Sequence, residues 1–153
     1  MAKAIGTKSG SKELLIAIET FDQSYHIADH RAEIGRVDDE AIIDIHGTIV
    51  RAIDEAKALE GKRAEVSLIC SKQYHCHRGH SESQQPMLMT ANVLKGTFKA
   101  LAYLPAKPFW ALPKMITSGR VSHIIADYRA GPRRDSELRA LYFASLDNTE
   151  RRE

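Results

Sequence analysis

Apolar residues along this chain recur at every second position more often than at every third or fourth. Between Lys62 and Cys70, one parity holds Ala64, Val66, Leu68 and Cys70, and the other holds Arg63, Glu65 and Ser67. Period two is the signature of a strand with one covered face. Ala41–Ile53 repeats it, with Ile43, Ile45, Gly47 and Ile49 on one face and Asp44, His46 and Thr48 on the other. Val93–Leu104 repeats it again, with Phe98, Ala100, Ala102 and Leu104 against Lys95, Thr97 and Lys99.

Glu13–Phe21 is apolar on both parities, as a strand covered on both sides would be. Asp22, Gln23 and Ser24 then read as a turn, and Tyr25–Arg36 as a second strand ending in a hairpin at Asp38 and Asp39. Asp54–Gly61 is polar and reads as a helical turn or a wide hairpin. Pro105 and Pro108 end the strand before them. Phe109–Ser118 is predicted to be a helix starting near Trp110, because Pro113 fits only a first turn. Its apolar stripe is Leu112, Met115 and Ile116, and Gly119 supplies a left-handed stop.

Arg120–Arg129 is a further strand. Glu137–Ser145 is read as the last, because Tyr142 and Phe143 suit a half-buried sheet. Helical spacing of Leu138, Leu141, Tyr142 and Ser145, with Ser136 as cap, is the competing reading. About seven strands and one short helix follow, without strand–helix alternation. The expected fold is all-β, a mainly antiparallel sandwich or barrel, with α+β as the alternative.

Length adds that 153 residues make a single domain, placed at 13–147. Residues 1–12 are expected to form a mobile N-terminal arm, and 71–86, polar and without apolar anchors, an exposed loop. No apolar run is long enough for a signal core or a membrane span. Two cysteines make no disulfide framework, which points to a reducing cytoplasm.

Charge is uneven. Residues 1–92 hold 11 Lys/Arg and 14 Asp/Glu, whereas residues 93–153 hold 11 and 6. The second half could meet an anionic partner such as nucleic acid, with Arg129, Arg133, Arg134 and Arg139 as an anion patch.

No nucleophile motif, phosphate loop or separated pair of Cys/His ligands is present, and no motif anchors a comparison with a known family. Chemistry concentrates in two places. His75, Cys76, His77 and His80 offer nitrogen and sulfur ligands within one loop, where zinc is the metal that would fit. His26 and His30 share a parity with Ala28, Ala32 and Ile34, so two imidazoles beside small residues could border a ligand pocket. Trp110 is read first as a core anchor that plugs the barrel, and otherwise as a stacking platform at the same pocket. Cys70, on the parity of Val66 and Leu68, is expected to be buried and unreactive, and Cys76 accessible.

The functional expectation is a binding or interaction module for a small ligand or a protein partner. A small metal-dependent enzyme using the loop histidines and a nucleic-acid-binding protein are the alternatives.

Overall fold

The structure, a computed structural model, describes residues 11–71, 87–130 and 136–145. The elements are β1 (Ser11–His30), α1 (Arg31–Ile34), β2 (Arg36–Ala52), a 3-10 helix (Asp54–Leu59), β3 (Arg63–Cys70), β4 (Met87–Leu94), β5 (Thr97–Tyr103), α2 (Ala106–Thr117), β6 (His123–Ala130) and β7 (Ser136–Ala144). The strands close into a barrel in the order β1-β2-β3-β5-β4-β7-β6. Every pairing is antiparallel except β3 with β5.

Period two places the core. Ile43, Ile45, Ile49, Ala64, Val66, Leu68, Phe98, Ala100 and Ala102 are all buried inside the barrel, on the parities that the sequence marks. Large and small side chains alternate across that interior. Phe98 meets Tyr128 at a ring separation of 5.2 Å, and the alanines opposite make room for them.

Helix α2 covers one end of the barrel. Its stripe runs through Phe109, Leu112 and Ile116, and the buried plug is Phe109. Trp110, expected to be the anchor, is 51% exposed and meets Phe109 edge-to-face at 5.0 Å. The helix also begins earlier than expected. Pro105 serves as its N-cap, Pro108 falls in the first turn where no N–H is needed, and Pro113 lies inside. Thr117 Oγ1 donates back to the Pro113 carbonyl at 2.8 Å, and Gly119 leaves the helix at φ +78°.

Four further boundaries differ from the sequence reading. Asp22–Ser24 is no turn: β1 runs through it, and the polar residues there sit on a strand with little cover. The hairpin turns at 31–35, with Gly35 at φ +73°, so Asp38 and Asp39 lie within β2. Val93–Leu104 is two strands joined by a tight turn at Lys95 and Gly96, whose φ values of 51° and 78° suit a two-residue hairpin. Ser11 and Lys12, assigned to the mobile arm, pair with Arg129 and Tyr128. Residues 1–10 and 72–86 lie outside the described residues.

Candidate functional site

The site follows from how far β1 and β2 outrun their neighbours. They pair with each other from Leu14↔Ala52 to His30↔Arg36. β6 accompanies β1 only along Ser11–Ala17, after which the Ile18 N–H donates to the Ser122 carbonyl at 3.0 Å. β3 accompanies β2 only along Ala41–Thr48. Beyond those points the pair is a two-stranded ribbon, with no strand beside either edge among the described residues.

Register fixes its faces. Phe21 packs against the core, and Gln23, Tyr25 and Ile27 continue the same face past the end of the barrel. Tyr25 is 55% and Ile27 62% exposed, so the apolar lining of the barrel runs out into solvent. Tyr25 donates its hydroxyl to Asp39 Oδ2 at 3.1 Å. On the opposite face His26 Nε2 stands 3.8 Å from Glu40 Oε2, and His46 Nε2 stands 3.4 Å from Asp22 Oδ2.

The far end is built by Asp29. Its carboxylate accepts the Arg31 backbone N–H at 3.0 Å and both Nε and Nη2 of that arginine, at 3.0 and 2.8 Å to the nearer oxygens. The ribbon is acidic: within 22–40, Asp22, Asp29, Glu33, Asp38, Asp39 and Glu40 outnumber Arg31 and Arg36.

A cleft of about 440 Å³ lies at the base of the ribbon, where β1 parts from β6. Ile18 to Phe21 form one wall, and Ile116, Thr117, Gly119, Val121 and Ser122 the other. A bulge between Ile18 and Thr20 turns Glu19 outward, where its carboxylate accepts the Thr48 hydroxyl. Beside the cleft, Ser122 Oγ is 2.8 Å from His123 Nδ1. Burial pushes that imidazole down from its ordinary value of 6.5, which favours its neutral form. Among the described residues no carboxylate orients it, so a hydroxyl–imidazole pair is present without the third member of a triad.

The residues singled out from sequence fall only partly within the described residues. His26 is on the open ribbon, and His30 ends β1 opposite Arg36. Neither His26 nor Trp110 lines the cleft. His75, Cys76, His77, His80, Arg133 and Arg134 lie outside the described residues, where the zinc expectation also falls. No group of three His, Cys, Asp or Glu able to hold a metal occurs among the described residues.

Arg129 is exposed and paired across the sheet with Glu137, whose carboxylate is 3.8 Å from Arg139, so an acid sits between these two members of the anion patch. Cys70 is half-buried at the end of β3; burial, then the Asp39 charge, push its thiol up. The unpaired edge and the cleft were missed. The available signal was the length of alternation on both sides of Gly35.

No family of known proteins, no curated protein and no solved structure matches the chain. No described helix is long and apolar enough to cross a membrane.

Proposed function

We propose that this barrel is a protein-interaction module that takes its partner along the free edge of β1, by strand addition. The observation that carries the reading is that β1 outruns β6 while keeping Tyr25 and Ile27 exposed on the face that continues the core. An isolated two-stranded ribbon is marginal in water, and an unpaired edge is a template for another strand. Backbone hydrogen bonds along the edge supply affinity, and alternate side chains supply selectivity. The reading keeps the cytoplasmic setting inferred from cysteine usage.

A photo-crosslinking amino acid placed at Tyr25 in cells expressing the protein tests it. Tyr25 is expected to give discrete protein adducts that vanish when Ile27 is changed to Asp. The same probe at Lys99, on the outer wall of β5, is expected to give none. Identical patterns at both positions would defeat the proposal.

The cleft supports a second reading, a small-ligand site, because it joins apolar walls to the polar groups of Glu19, Thr117 and Ser122. Shifts confined to the Ile116, Val121 and Ile18 methyl signals in a ligand screen by NMR would favour it; shifts at Tyr25 and Ile27 would not.

A further inference from the structure

We infer that the strand taken up by β1 is a short basic segment of another protein, in which lysine or arginine alternates with apolar residues, laid antiparallel along Asp22–Ala28. The inference rests on the interaction reading above and names the chemistry of the partner.

Register decides which backbone groups are on offer. Ile49 donates its N–H to the Lys62 carbonyl at 2.9 Å and accepts the Gly61 N–H at 2.8 Å, so both of its backbone groups point away from β1. Alternation along β2 turns those of Ile43, Ala41 and Asp39 away as well. Opposite them on β1 stand Gln23, Tyr25 and Ile27, which by the same rule turn their N–H and C=O toward the open edge. Ile18 obeys it too, giving its N–H to Ser122 where the neighbouring chain still reaches. Ile18 to Phe21 then face Ile116–Ser122 across the cleft. The stretch left to a partner therefore starts at Asp22 and stops at Ala28, before Asp29 engages Arg31.

The two faces specify the partner's side chains. Antiparallel residues that exchange hydrogen bonds share a face. Partner residues opposite Gln23, Tyr25 and Ile27 therefore lie on the face that continues the core, where apolar side chains gain cover from the exposed phenol and isoleucine. Partner residues between them lie on the other face, beside Asp22. Asp22 stands directly opposite Asp44, like charge against like, and its side chain is 84% exposed. Asp44 accepts the Ser67 hydroxyl at 2.6 Å, and Asp22 has the His46 imidazole at 3.4 Å. A lysine or arginine delivered beside Asp22 relieves that opposition. The excess of acids over Arg31 and Arg36 along the ribbon draws in a cationic strand and repels an anionic one.

NMR titration of the full chain with a capped seven-residue peptide of alternating lysine and valine, lysine at both ends, tests the inference. The amides of Gln23, Tyr25 and Ile27 are expected to shift and to exchange more slowly, and the affinity to fall as salt is raised. The same peptide with glutamate for lysine is expected to move none of them. Asp22 is exposed, so Asp22→Lys should keep the native spectrum elsewhere and weaken binding about fivefold. N-methylation of the valines should abolish binding, because their N–H groups meet the β1 edge. N-methylation of the lysines should not.

A glutamate peptide that binds as well as the lysine one overturns the inference. So does a lysine peptide that shifts the cleft methyls in place of the edge amides, or one that is blocked by N-methylation of its lysines alone. If the lysine peptide leaves the edge unmoved while Tyr25 still crosslinks a protein in cells, the basic partner falls and strand addition stands. If neither occurs, both readings fall.

Discussion

Gly47 on β2 faces the backbone of Ala17 on β1 so closely that a β-carbon there would strike the Ala17 carbonyl oxygen and stand 2.9 Å from Ile16 Cγ2. This is where β1 carries two register shifts and bends to close the barrel. Gly47→Ala should therefore destabilise by about 1–3 kcal/mol or more through overpacking against backbone that cannot yield. Gly35→Ala meets no atom but must hold φ +73°, so it should cost only about 1–2 kcal/mol. Urea denaturation of the two variants measures both. Equal midpoints for Gly47→Ala and the parent would show that β1 can move away from Gly47.

Phe109 and Trp110 are adjacent and unlike. Phe109 is fully buried on the inner face of α2, and its truncation to Ala should cost about 3–5 kcal/mol. Trp110→Ala should cost well under that, and the native emission should resemble an indole in water. A blue-shifted native spectrum, or a larger loss from Trp110→Ala than from Phe109→Ala, would reverse the assignment.

His123 links stability to pH. Burial lowers its pKa in the folded state, so the unfolded chain binds the proton more readily. Its contribution is fully present above 6.5 and is lost as pH falls from there toward the lower folded value. A His123→Gln variant should lose less stability than the parent between pH 7 and 5. Parallel losses in urea midpoints would remove His123 as the cause.

Cys70 should react slowly. Its thiol is pushed up by burial and by Asp39, so less thiolate is present near neutral pH. Asp39→Asn removes one of those causes and should speed alkylation of the Cys70 peptide, followed by mass spectrometry. An unchanged rate would assign the slow reaction to access alone.

Inward positions were legible because burial on one face writes itself as alternation. Val66, Leu68, Phe98 and Ala100 sit where that pattern put them. Turns were less legible where polar residues had two meanings. Asp22–Ser24 and Asp38–Asp39 are polar because the ribbon lies beyond the barrel, which looks like a turn in one dimension. Lys95 and Gly96 were hidden for the opposite reason: a two-residue turn keeps the alternation almost intact. The expected strand number came out right because one strand too many before Gly35 offset one too few around Gly96. The sequence reading puts Trp110 in the core in place of Phe109, and the structure reverses the two, since the helix start decides which one faces inward and Pro113 misdirects that start. The site was invisible because a free edge is a property of what the neighbours fail to reach.

Barrel closure joins Ala17 to His123, strands from opposite ends of the chain. At ribosomal rates of roughly 5–20 residues per second, β1 emerges about 5–20 s before β6. For that interval all of β1 beyond its pairing with β2 is an open template, not only the part that stays open in the finished protein.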